Sequence, residues 1–202
     1  VANDWALYQR HTAFVLGFHG TEDAIAQDVI GRSIAHLEHS RGRFEWLGHG
    51  IYFWEGDPQR ALEWAQDGNA KKKIKNPGVV GAIIDLGLCL DLTTRTGLDE
   101  IAQAHATLVE TYAASGQPVP DNTGGKDRFK RELDCQVIQA LHLYRKENGL
   151  APYDSVRAPF PEDEPLYDGA GFRKRNHIQI AVINPECIKG SFRPIPGASA
   201  HT

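Results

Sequence analysis

The sequence has no methionine, only three cysteines, no long apolar run and no excess of positive charge, and each shortage excludes something. Cys89, Cys135 and Cys187 are odd in number, far apart and set among apolar neighbours. They read as core residues in a reduced compartment, not as a disulfide framework. No basic cluster flanks them to lower a thiol pKa, so none reads as a nucleophile. Without an apolar stretch of about 20 residues, a membrane-spanning helix is excluded. A formal net charge of −4 argues against a broad basic face for nucleic acid, while permitting a small basic channel. The missing methionine fits a piece of a longer protein as well as a compositional bias. From Val1 onward no charged start leads into an apolar core, so no secretory signal is expected.

What is present describes one domain. A chain of 202 residues, 41 % hydrophobic and 24 % charged, can bury a core without staples, so residues 1–202 are expected to form a single globular unit. Val15-Leu16-Gly17-Phe18 reads as a strand. It leads through His19 and Gly20 to Thr21, which suits the cap of a helix carrying Ala24, Ile25, Val29 and Ile30. Gly50-Ile51-Tyr52-Phe53-Trp54 reads as a second strand. A helix over residues 59–65 follows it, capped by Asp57 and opened by Pro58. Residues 79–86 form the strongest strand candidate, expected to continue through residues 88–92 with Gly87 as a bend or bulge.

Apolar spacing of three and four predicts helices over residues 98–114 and 132–148, both packed on that sheet, with a loop over residues 115–125 between them. Pro159, Pro161, Pro165, Gly169 and Gly171 make residues 153–175 read as a long ordered loop beside a site. Residues 177–183 then alternate as a strand that Asn184-Pro185 ends. The expected class is α+β, with short strands predominating around a few helices.

Two segments carry the chemistry: Phe18-His19-Gly20-Thr21 and Gly48-His49-Gly50-Ile51-Tyr52-Phe53. Trp64 follows the second about a dozen residues later; Val80-Gly81-Ala82-Ile83-Ile84-Asp85-Leu86-Gly87 and Gln179-Ile180-Ala181-Val182-Ile183 come after, in that order. Together they resemble the catalytic domains of the ADP-ribosyltransferase superfamily of the His-Tyr-Glu type, that of diphtheria toxin and the poly-ADP-ribose polymerases. The match spans residues 15–193, with Gln179 in the third position. The resemblance implies an ADP-ribosyltransferase-like fold with a split β-sheet core. It also implies NAD as substrate and cleavage of the nicotinamide–ribose bond.

On that resemblance His19, Tyr52, Gln179 and Asp134 are the catalytic candidates, and His19, Gly20, Thr21, Tyr52, Phe53, Trp64 and Arg157 the NAD-binding ones. His19 would hold the adenosine ribose, with Thr21 adding a further polar contact, and Gly20 would let backbone approach the carboxamide. Tyr52 and Trp64 would grip the nicotinamide from two faces. Arg157 would pair either with the pyrophosphate or with a loop carboxylate. The oxocarbenium-like ribose left by nicotinamide is best stabilised by a fixed carboxylate, which Gln179 does not supply. Asp134, among apolar residues in Leu133-Asp134-Cys135-Gln136-Val137-Ile138, is ranked first as a replacement, ahead of Glu132, Glu162, Asp163 and Glu164.

Glu162, Asp163, Glu164, Arg173, Lys174 and Arg175 are read as an acceptor loop. Of the basic runs, Arg173-Lys174-Arg175 and Lys71-Lys72-Lys73-Ile74-Lys75, each is either solvated surface or part of a nucleic-acid groove. For His19, Tyr52 and Trp64 the plain alternative is core packing, a role Phe53 and Trp54 suit better still. His36, His39 and His49 lack metal-ligand spacing, so no metal is expected.

The expected function is single ADP-ribose transfer to a protein or nucleic-acid acceptor, as a bacterial toxin or defence enzyme. Such an enzyme would act in the cytoplasm or in a target cell, where an antitoxin or inhibitor protein could meet it, with no membrane partner. Two alternatives stay open: an NAD glycohydrolase, and an inactive module that binds NAD or ADP-ribose.

Overall fold

The computed structural model describes residues 14–67 and 74–195. Lys71, Lys72 and Lys73 lie outside the described residues. Strand β1 (Phe14–Glu22) leads to helix α1 (Asp23–Ile30); then come β2 (Ile51–Glu55), α2 (Pro58–Asp67), β3 (Pro77–Asp85) and β4 (Cys89–Asp91). Helix α3 (Arg95–Ser115), the short strands β5 (Asn122–Thr123) and β6 (Lys130–Arg131), and α4 (Glu132–Glu147) precede β7 (Ser155–Pro165), β8 (Arg173–Val182) and β9 (Ile188–Phe192). Seven strands form one sheet in the order β4-β7-β8-β2-β1-β3-β9, and β5 pairs with β6 apart from it. Only β4 and β7 run parallel, so the described chain is α+β with a mostly antiparallel sheet. No helix among the described residues is long and apolar enough to cross a membrane.

The sheet has a weak seam. β1 pairs with β3 over nine positions and β2 with β8 over four, yet β1 and β2 share only Gly17↔Glu55 and Phe18↔Trp54. Inward residues on both sides of the seam still meet in one cluster: Val80, Ala82 and Ile84 of β3, Ile51 and Phe53 of β2, Ile180 and Val182 of β8, with Ala26 and Val29 of α1. On the opposite face Ile138 and Leu141 of α4 pack with Val156, Ala158 and Phe160 of β7 and Ala181 of β8. Period-two alternation thus serves both faces, since helices cover each side.

Several expectations change. Thr21 is strand, buried and opposite Gly78, so it caps nothing; Glu22 occupies the cap position. Asp57 and Pro58 open α2 as expected, with the Arg60 amide donating to the Asp57 carboxylate at 2.9 Å. Gly87, at φ +58°, does more than bend a strand: it lets the chain leave β3 and cross to the far edge of the sheet, where β4 pairs with β7. Helix α3 lies chiefly against α4 instead of the sheet, which explains its many exposed positions. Five of the nine strands are short, with two to five residues, while β1 and β3 have nine residues each, β8 ten and β7 eleven.

From residue 155 on, the stretch read as a loop is the hairpin β7–β8, and only residues 166–172 at its tip lie outside the two strands. Prolines hid it. Beyond Arg157, which gives its carbonyl to Leu92, β4 ends and β7 has an open edge. Pro159 and Pro161 share the direction of Arg157, so their missing N–H groups fall on that edge and cost no ladder bond.

Candidate functional site at the sheet seam

The bond from Gly56 N–H to Leu16 O, 2.8 Å, fixes which β1 residues point their backbone across the seam: Leu16, Phe18 and Gly20. The β1–β2 ladder stops at Phe18↔Trp54, so the N–H and C=O of Gly20 have no strand partner on that side. In their place His19 Nδ1–H donates to the Tyr52 carbonyl at 2.7 Å. That bond fixes the tautomer and leaves Nε2 an acceptor. Burial lowers the His19 pKa, outweighing the opposite pull of the Tyr52 carbonyl, and the ring stays neutral.

Helix α2 presses on β1 here. A Cβ on Gly20 would lie 2.0 Å from the Ala61 carbonyl oxygen, so glycine is required for this close approach. Arg60 and Trp64, four residues apart, share one face of α2. The Trp64 ring lies 6.5 Å from His19 and 5.9 Å from Trp54, and the Arg60 guanidinium lies 5.6 Å from the Trp54 ring. Trp54 Nε1 and Arg60 Nε are buried with no hydrogen-bond partner among the described residues.

Gln179 of β8 sits opposite Trp54 on β2 and opposite Ala158 on β7. Its amide nitrogen lies 3.0 Å from His177 Nε2. His177 Nδ1 faces the Arg175 carbonyl at 3.1 Å and the Glu162 carboxylate at 3.5 Å, both acceptors only, so Nδ1 carries the proton. Nε2 is then an acceptor, and the group it faces must be the NH2 of Gln179. Gln179 therefore turns its carbonyl oxygen away from His177, with no partner among the described residues. Burial pushes the His177 pKa down to about 4, consistent with a neutral ring.

Glu162 is buried and joins this row, 3.3 Å from Arg60. Desolvation raises its pKa against the opposing pull of Arg60. A cavity of about 230 Å³ opens at its end of the row, lined by Asp127, Phe129, Glu162, Asp163 and Arg175. Asp163 stands at φ +71°, where the β7–β8 register shifts. Glu162, Asp163 and Glu164 belong to β7, and Arg173, Lys174 and Arg175 to β8, so these residues stand on the two strands of a hairpin and not on a loop.

Four expected site residues have other employment. Asp134 is a half-buried residue near the start of α4, holding Asn122 through a side-chain bond of 2.7 Å and a backbone bond of 3.2 Å. Its partner is thus local, and no recorded contact joins it to Gln179. Arg157 lies on the other face of β7 from Glu162; its guanidinium is taken by Glu55 at 2.6 and 3.0 Å and by Asp91 at 3.1 Å, so the carboxylates it meets belong to β2 and β4 and not to residues 162–164. Tyr52 has partners in the turn that precedes its own strand. Its hydroxyl donates to Gly48 O at 2.6 Å and accepts from Leu47 N–H at 2.7 Å, pinning the turn before β2, and burial raises its pKa well above 10. Phe53 is core, packed 5.9 Å from the His19 ring.

Trp54, Arg60 and His177 were missed as site residues. Period two along β2 and β8 places Trp54 on the face of Tyr52, and His177 on that of Gln179; Arg60 had no signal beyond its spacing to Trp64. Among the described residues no three His, Cys, Asp or Glu side chains converge as a metal site. The arrangement offers an open backbone donor and acceptor, a neutral imidazole acceptor, an aromatic pair, and an outward amide oxygen backed by a buried carboxylate. No family model matches this chain, and no curated protein matches it.

Proposed function

We propose that the chain cleaves NAD at the nicotinamide–ribose bond and transfers a single ADP-ribose to a macromolecular acceptor, within an ADP-ribosyltransferase-like fold. The observation that carries this reading is the seam, where the backbone N–H and C=O of Gly20 have no strand partner among the described residues and lie beside the Nε2 acceptor of His19. A primary carboxamide needs one acceptor and one donor side by side, which Gly20 supplies. His19 Nε2 accepts a hydroxyl of the adenosine ribose, and Trp64 covers the nicotinamide ring. Gln179 Oε1 accepts a hydroxyl of the nicotinamide ribose, in the orientation His177 imposes. Glu162 supplies the negative charge that Gln179 lacks, fixed in advance by Arg60 and His177. As the bond breaks, its electron pair leaves with nicotinamide, and the acceptor's nucleophile bonds to the ribose carbon.

The test is incubation with labelled NAD, reading nicotinamide release and label on macromolecules of a lysate. His19→Ala should abolish both while the variant stays folded. Glu162→Gln should slow release about a hundredfold, the usual effect of deleting one preorganised electrostatic group, whereas Asp134→Asn should change it less than twofold. Full activity in His19→Ala would sink the proposal. Nicotinamide release with no labelled macromolecule would make the protein a glycohydrolase, and NAD binding without release a binding module.

A further inference from the structure

The β5–β6 tip lies against the β7–β8 hairpin just short of the latter's own tip, residues 166–172. Asp163 N–H donates to the Asp127 carboxylate at 3.2 Å, Lys126 pairs with Glu164 at 3.3 Å, and the β5–β6 tip and the strands β7 and β8 together line the cavity beside Glu162. Three aromatic side chains project from them with over half their surface in water: Phe129 at 54 %, Tyr167 at 60 % and Phe172 at 61 %. Exposed rings in such number on one pair of tips are not needed for the core.

The acidic residues nearby are mostly consumed internally. Asp163 lies 3.6 Å from Arg175, Glu164 faces Lys126, and Asp127 takes the Asp163 amide. Arg128, Lys130 and Lys174 are exposed and have no ion-pair partner among the described residues, against two such carboxylates, Asp121 and Asp168. The net charge of −4 thus hides a local cationic surface interleaved with aromatic rings.

We propose that these two tips form a platform for single-stranded nucleic acid, with Phe129, Tyr167 and Phe172 stacking bases and Arg128, Lys130 and Lys174 meeting phosphates. A duplex hides its base faces, and an acidic protein surface has no use for three open rings, so an unpaired strand fits both halves of the surface. Arg175, at the cavity, is four residues from Gln179 along β8, about 13 Å at the strand rise. A strand on the platform is therefore delivered to the seam. Its role as the ADP-ribose acceptor rests on the transfer reading above; the binding does not.

The experiment uses fluorescent 12-nucleotide RNA, DNA and duplex probes, with anisotropy read at 50 and 200 mM salt and no NAD present. Single strands should bind better than the duplex, and three phosphate contacts should weaken binding roughly fifteenfold across that salt range. The RNA and DNA arms show which strand is preferred. Tyr167→Ala with Phe172→Ala, at exposed tip positions that leave the fold intact, should weaken it at least tenfold without changing nicotinamide release. No binding at 50 mM salt, a preference for duplex, or unchanged binding by the double variant would overturn the platform. Strand binding by a protein that never consumes NAD would leave the platform standing and remove the transfer reading. NAD cleavage that labels only protein, with no strand bound, would do the reverse.

Discussion

Replacing Gln179 by glutamate tests the row Glu162, His177, Gln179 without assuming any function. In the native protein His177 Nε2 is an acceptor facing an amide N–H at 3.0 Å. A carboxylate at position 179 puts an oxygen lone pair against the ring's lone pair, and the conflict is relieved only if His177 takes up a second proton. A unit charge about 3 Å away contributes about 5 kcal/mol at an effective dielectric of 20. Gln179 is half-buried, so solvent screening roughly halves that to about 2 to 3 kcal/mol, or about two pH units. The His177 midpoint should rise from about 4 to about 6. Long-range proton–nitrogen NMR reads it directly, and also reports the tautomer of the wild-type ring. A midpoint within half a pH unit of wild type, or a wild-type ring protonated at Nε2, would refute the orientation assigned to Gln179.

Gly20→Ala should destabilise the protein by about 1 to 3 kcal/mol, since its Cβ meets a backbone carbonyl, and should weaken NAD binding by displacing α2 with Trp64; thermal unfolding and calorimetry check the two parts. Arg157→Met should cost about 3 kcal/mol by leaving half-buried Glu55 and buried Asp91 without this cation, yet leave the KM for NAD within twofold; a large rise in KM would support the expected pyrophosphate role. His142 carries a buried, unpartnered Nε2 and a pKa pushed down to about 4 by burial. The unfolded ring binds its proton near 6.5, so stability is lost as pH falls through the window from 6.5 to 4, about 2 kcal/mol of it by pH 5. In His142→Leu, denaturant titrations at pH 7 and pH 5 should differ by that much less.

Much of the scaffold was legible because its signals are local. Residues 51–55 are aromatic and short, Asp57 and Pro58 mark a helix start, and residues 79–85 are apolar and β-branched. The seam was legible only as a motif, for no pattern in Phe18-His19-Gly20-Thr21 says that a histidine ring will replace a ladder bond. Glu162 was weighed only among other carboxylates, because its burial depends on Arg60 and His177, brought to it by pairing between distant strands. Asp134 misled for a related reason. Apolar neighbours in sequence alternate around a helix, and the side chain between them faces Asn122 near the surface. Arg157 answers Glu55, 102 residues away, a distance at which composition carries no information.

The prolines of β7 have a consequence for the protein's behaviour in concentrated solution. An exposed sheet edge ordinarily offers a row of donors to any passing extended chain, and such rows seed aggregates. Along this edge Pro159 and Pro161 have no donor to offer, and the Asp163 amide is already held by Asp127. Replacing both prolines with valine would raise the strand's own propensity while exposing a template for fibril growth.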